Sequence, residues 1–204
     1  MTNLYITTYN EPNIERKAEL NKALYKNIEN PAIDVVYVVD EGEHVFTSDK
    51  VKMVRVNERA TFEYMFRLMA EMSGDDDVNI LVNSDIYFDE QGIGIIQARL
   101  GRDMCYALTR YDIRKDGSVD FVNRRDSQDS WCFRGKVRQV MADYGQGIAG
   151  CDNNIAYKLT EVGYTVTNPS LTIRSYHVHA SEVRNWHDKG SVSAPYLLLD
   201  CVEI

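Results

Sequence analysis

The sequence predicts an α/β sandwich, with a mostly parallel central sheet and helices on both faces. Three observations predict it. Short apolar, β-branched runs alternate with segments whose apolar residues recur at helical spacing. Residues 1–90 arrange that alternation as β-α-β-β-α-β. The chain has 204 residues, 44% hydrophobic and 26% charged, which suits one domain, residues 1–204, with a core of its own.

Residues 4–8 read as a buried strand. Pro12 and Asn13 then open a helix, with Asn13 as N-cap and Ile14, Ala18, Leu24 and Ile28 on its apolar face. Residues 32–39 carry the run IDVVYVV, typical of a strand covered on both faces. Residues 51–56 form a shorter strand. Phe62, Met65, Phe66 and Met69 place a helix over residues 61–72. Ser73-Gly74-Asp75-Asp76-Asp77 ends it, as a solvated turn in preference to a metal cluster. Residues 78–82 are the next buried strand and run into Asn83-Ser84-Asp85. Beyond Arg99 the pattern is irregular: a strand over 104–109, a loop, a strand over 131–133, a helix and a Gly-rich loop. Ile155, Ala156, Leu159 and Val162 then mark a last helix, which Gly163 closes as a C-cap would.

Charge and cysteine usage exclude some classes. The net charge of -8 argues against indiscriminate nucleic-acid binding. Residues 99–138 nevertheless hold ten Lys or Arg against six Asp, a basic stretch that suits an anionic partner. Cys105, Cys132, Cys151 and Cys201 show neither CxxC spacing nor a disulfide framework. With no apolar signal stretch at residues 1–5 and no run long enough to span a membrane, a cytoplasmic protein is expected. Thirteen Tyr fit either stacking on polar rings or core filling.

Four segments carry chemistry. Ile80 to Asp89 reads ILVNSDIYFD, a buried strand that ends in oxygen-bearing side chains. Asp85, with Asn83 two residues away, suits a divalent cation that neutralises a departing diphosphate; a turn capped by Asn and Asp is the alternative. In Gly150-Cys151-Asp152-Asn153, Asp152 sits at a helix start, as an N-cap, as a general base on a hydroxyl, or as both. His177 and His179 are two apart on a strand and face one side, where one could join Asp85 on a metal. A zinc site using Cys151 has no supporting spacing. In Asp126-Ser127-Gln128-Asp129-Ser130-Trp131, Trp131 either stacks on a sugar with Asp129 taking hydroxyls, or anchors the core. Arg124 and Arg125 read as diphosphate contacts or as a solvated loop.

These segments, in this order over residues 83–179, resemble glycosyltransferases of the GT-A fold, close to the group called family 2. The resemblance implies a GT-A-like three-layer sandwich, with residues 1–90 as the nucleotide-sugar-binding half and 91–204 as the acceptor half. It implies Asp85 in the family's DxD position, binding metal and diphosphate, with Asn83 replacing the first acid and Ser84 between them. It implies His177 or His179 as the late metal ligand and Asp152 as the catalytic base of an inverting enzyme. Thr7, Thr8, Tyr9, Asp40 and Arg59 would contact the nucleotide, while Asp129, Trp131 and Arg124 would meet sugar or acceptor. The cofactor implied is Mn2+ or Mg2+, and the donor a nucleotide-diphosphate sugar, most simply UDP-linked. A hydroxylated pyrimidine of phage-type DNA is one acceptor, given the basic stretch; cell-surface or capsule glycans are another. A nucleotidyltransferase would want a Gly- and Lys-rich phosphate loop that Thr7-Thr8-Tyr9-Asn10 lacks. A binding protein without turnover would not need Asp152.

Overall fold

The computed structural model describes residues 1–181, 183 and 190–204. Its elements are β1 (Thr2–Thr8), α1 (Ile14–Glu29), β2 (Val35–Asp40), β3 (Val51–Arg55), α2 (Phe62–Met72), β4 (Val78–Val82), β5 (Ile86–Phe88) and α3 (Glu90–Arg99). They continue with β6 (Met104–Leu108), β7 (Arg110–Ile113), β8 (Val119–Phe121), β9 (Ser130–Arg134), α4 (Cys151–Glu161), β10 (Thr165–Thr167) and β11 (Ser175–Val178). The larger sheet has the order β10-β6-β9-β4-β1-β2-β3 and the smaller one β5-β11-β7-β8. Pairing in the larger sheet is parallel except at β9, which lies antiparallel between β4 and β6.

The period-2 alternation of strand side chains splits the core into two layers. Tyr5, Leu81, Trp131 and Phe133 face one layer, which α2 and α4 complete with Phe62, Phe66, Ile155 and Leu159. Leu4, Ile6, Ile80 and Val82 face the other, closed by Leu24 and Ile28 of α1 and Ile93 and Ile96 of α3. This is the three-layer sandwich the alternation predicts. The chain leaves β1 for β2 on one side and returns through β3 and α2 to β4 on the other. The carboxyl ends of β1 and β4 therefore flank a topological switch point, where open α/β sheets leave a crevice.

Four expectations need correction. Asn13 caps α1 as expected, its side chain accepting from Arg16 N, but Ile14 is 85% exposed and Ala18 is also exposed. The buried face at the start of α1 instead carries the charged pair Arg16 and Glu19. No helix forms between β9 and α4; that segment is an irregular run of bends and turns, and Tyr144 O and Ala142 O accept from Phe62 N and Glu63 N at the start of α2. Those carbonyls satisfy amides that a helix end leaves without partners. The N-cap of α4 is Gly150, at φ 79°, and not Asp152. The segment 73–77 is only partly solvated, because Asp77 is buried and takes the N-terminal ammonium at 2.9 Å.

The sequence pattern also passed over α3 and the small sheet. Two glycines inside α3 lower its helix propensity, and β5 and β8 are three residues each, too short to show a period. Asn27 fixes β5 from α1: its Nδ2 donates to Ile86 O at 2.8 Å and its Oδ1 accepts from Phe88 N at 3.2 Å. This clamp holds the strand that follows Asp85.

Candidate active site

A cavity of about 520 Å³ opens at that switch point, within the range of small-ligand sites. β1 and the residue just past it bring Thr7 and Tyr9 to it, the turn after β4 brings Asn83, Ser84 and Asp85, and the start of α4 brings Asp152. His177 and His179 arrive from β11 and the residue just past it.

Asp85, His177 and His179 converge: one ligand atom from each lies within 4.8 Å of the others. The imidazole rings stack with centroids 5.1 Å apart, as the i, i+2 spacing predicts. His177 Nε2 lies 3.1 Å from Asp85 Oδ2, and its Nδ1 lies 2.7 Å from Asp112 Oδ1. A carboxylate behind one imidazole nitrogen orients the other toward a metal. Asp112, on β7, was not found from sequence, since β7 itself was not.

Arg16 is the second residue sequence reasoning missed. Its Nη2 bonds Asp85 Oδ2, while Nη1 lies 3.0 Å from Glu19 Oε2, 3.2 Å from Val178 O and 3.1 Å from His179 Nδ1. Burial opposes the charge on Asp85, but His177 and Arg16 outweigh it and hold the carboxyl well below the usual range. Burial alone would lower the His177 pKa; the Asp85 and Asp112 carboxylates reverse that and push it up to about 9. His179 goes the other way, lowered by burial and by the His177 charge beside it. One carboxylate and two imidazoles form a donor set that suits Mn2+ or Zn2+. The residues fit a divalent cation, provided the guanidinium gives up its hold on Asp85 and His177 gives up the proton that faces it.

Asn83 lines the cavity beside Asp85. Its Nδ2 donates to Asp129 Oδ1 at 3.0 Å, and Arg110 Nη1 donates to Asp129 Oδ2 at 2.9 Å. This places Asp129 in the cavity wall, fully engaged. Asp152 lies near it, accepting from Cys151 Sγ at 3.2 Å. Desolvation first, and the Asp129 charge second, raise the Asp152 carboxyl to about 7. A carboxylate with its pKa raised toward operating pH is what general-base work requires.

Two other site expectations are corrected, at Trp131 and at Asp40 with Thr8. Trp131 is fully buried and meets Phe62 edge-on at 5.1 Å, so it anchors the core and offers no face to a sugar. Asp40 is fully buried and bonded to Thr8 Oγ1, Gly42 N, His44 and Arg55, so neither it nor Thr8 lines the cavity. Position 40 sits at the end of β2, where its carboxylate ties β1, β2 and β3 together. Arg124 reaches the cavity rim but pairs with Asp126 at 2.8 Å. Thr7 reaches the cavity with its hydroxyl 3.0 Å from Ser84 Oγ. Arg59 lies over the Tyr9 ring at 4.6 Å and donates to Glu41 at 3.0 Å.

Six of the ten basic residues of the stretch are paired with Asp within the fold. Arg102, Arg110, Arg114, Arg124, Arg125 and Arg138 each pair with an Asp. Four of those Asp belong to the stretch itself, so only Asp76 and Asp200 offset its formal excess. Among the described residues, no helix is long and apolar enough to cross a membrane.

No protein-family model matches the chain, and none of the curated proteins matches it in sequence. Solved structures do match, at 12% identity. The crystal structure of GalNAc-T7 with UDP, GalNAc and Mn2+ aligns over 92% of this chain and 44% of its own, with a TM-score of 0.59. The mannosyltransferase PcManGT from Pyrobaculum calidifontis, with GDP-Man and Mn2+, aligns over 88% and 57%, at 0.57. S. aureus TarS 1-349 with UDP-GlcNAc aligns over 94% and 61%, at 0.56. The fold is that of the GT-A glycosyltransferases. The chain spans about half the length of the structures it matches.

Proposed function

We propose that this chain transfers a glycosyl group from a nucleoside-diphosphate sugar to an acceptor hydroxyl, with a divalent cation at Asp85. The observation that supports it most is the convergence of Asp85, His177 and His179 in a cavity at the switch point of a GT-A fold, with Asp152 in the same cavity. Asp85 and His177 would hold the cation, His179 would complete the set, and Asp112 would orient His177. A bound cation supplies positive charge against the departing diphosphate.

The protein's own part is positional and acid–base. Asp152 accepts the acceptor's hydroxyl proton as that oxygen bonds to the anomeric carbon. The bond from that carbon to the diphosphate breaks, and its electron pair leaves with the diphosphate. Attack opposite the leaving group inverts the anomeric centre. Thr7, Tyr9 and Arg59 would meet the nucleotide, and Asn83 with Arg110 would hold Asp129 in the wall. Holding two substrates in line supplies roughly 7 kcal/mol or more of the barrier. Among acceptors, a glycan or small-molecule hydroxyl fits better than modified DNA, because the arginines that would track a phosphate backbone are paired with Asp.

The test is release of UDP or GDP from a panel of nucleotide sugars, with Mn2+, Mg2+ or EDTA. Release that requires the cation and disappears in Asp85→Ala supports the reading. The expected loss is about 10²–10³-fold, the cost of removing one preorganised charge partner. Cation-independent release, or none from any donor in the presence of glycan acceptors, rejects it.

A further inference from the structure

The start of α1 carries a group that the proposed transfer chemistry does not need. Arg16 is 8% exposed, yet it lines the same cavity as Asp85, His177 and His179. A buried arginine serving only to steady its own helix would be satisfied by Glu19, three residues on, which Nη1 already reaches at 3.0 Å. Its other nitrogen, Nη2, instead bonds Asp85 Oδ2, and Nη1 also lies 3.1 Å from His179 Nδ1. The guanidinium therefore stands on two of the three side chains that could hold a cation.

We infer that Arg16 is the resident counter-ion of this site and a donor-sensing residue: it occupies Asp85 until a diphosphate draws its Nη2 arm away, so that cation and nucleotide bind as a coupled pair. The inference rests on the reading of Asp85 as the cation's ligand. Asp85 Oδ2 already takes both Arg16 Nη2 and His177 Nε2, so a divalent ion that takes this oxygen on its own must displace the guanidinium without compensation. A diphosphate supplies that compensation. The planar guanidinium pairs with phosphoryl oxygens in the same forked manner as with a carboxylate. Glu19 and Val178 O hold Nη1, and Ser181 N and Oγ in turn hold Glu19 at 2.5 and 2.9 Å. The anchor therefore stays in place while Nη2 exchanges one oxyanion for another.

Binding coupled in this way is reciprocal. Mn2+ binding is measured by electron paramagnetic resonance and by titration calorimetry, alone and with UDP, on the wild type, Arg16→Met and Arg16→Gln, each checked for folding by circular dichroism. Free Mn2+–UDP complexation is subtracted from a protein-free control. The expected result is weak Mn2+ binding to the wild type alone, strengthened at least tenfold by UDP. In the variants Mn2+ binds alone at least tenfold tighter than in the wild type, and UDP strengthens it less. Wild-type protein that binds Mn2+ as tightly without UDP as with it overturns the inference but leaves the cation reading standing. A folded variant that gains no Mn2+ affinity overturns it in the same way. Failure of every form to bind Mn2+, with or without UDP, overturns the cation reading and this inference together. The wild-type measurement decides even if neither variant folds.

Discussion

Asp152 sits beside Cys151, Asp129 and Arg110, and its raised pKa sets two opposite pH dependences. A general base must be deprotonated, so transfer should climb as pH rises through about 7 and flatten above it. Stability should run the other way. The unfolded carboxyl releases its proton near 3.8 and the folded one near 7, so between those values the folded state binds more protons and rising pH favours unfolding. Asp152→Asn removes the titration: it should bind donor, lose transfer by roughly 10²–10⁴-fold, and melt higher than the wild type at pH 8. Thermal melts at pH 5 and pH 8 check this; the gap should shrink at the lower pH, and an equal gap at both would refute the assignment. The residue type and its place near a helix start were legible in the sequence. The raised pKa was not, because it comes from the burial of Asp152 in the folded cavity and from the charge of Asp129, 23 positions away.

At the scale of elements, two helix starts deliver the site. The Asn13 cap fixes the first turn of α1, accepting from Arg16 N at 2.9 Å, so it orients the residue that holds Asp85. Asn13→Ala should cost about 1 kcal/mol, or roughly 2–4 °C in melting temperature at this size. The start of α4 depends on Gly150 at φ 79°, where a Cβ would meet Tyr196 Oη at 2.8 Å and Val192 O at 2.9 Å. Gly150→Ala should therefore cost more, about 1–3 kcal/mol from strain and overpacking, and should weaken transfer by tilting Asp152. A variant with unchanged melting and unchanged nucleotide release would show that this left-handed junction can relax. Capping rules favour Asp over Gly at a helix start and so pointed to Asp152. The tertiary structure chose Gly150, because residues 192–196 pack directly against the junction and leave no room for a side chain.

Over the whole molecule, the core lines the larger sheet, while the site lies beyond the carboxyl ends of β1 and β4, where the smaller sheet brings His177. Trp131 lies at the centre of the sheet, on β9, and joins Phe62 of α2. Trp131→Ala should lower stability by about 3–5 kcal/mol and the melting temperature by roughly 10 °C, with little change in KM for the surviving folded enzyme. A raised KM with normal melting would instead return Trp131 to the sugar site.

Local pattern along the chain was enough to set the alternation of elements, the burial of β1, β2 and β4, and the side chains that end at the open edge. Periods of 2 and 3.6 are readable wherever a segment is long enough to show them. Which charges meet was settled by the folded arrangement alone. Arg16 joins Asp85 across 69 positions and Asp112 joins His177 across 65, the latter through a small sheet of which only the strand carrying His177 showed in the sequence. A charge on a helix reads as solvent-facing until the partner that makes its burial tolerable is known, and that partner lies far along the chain.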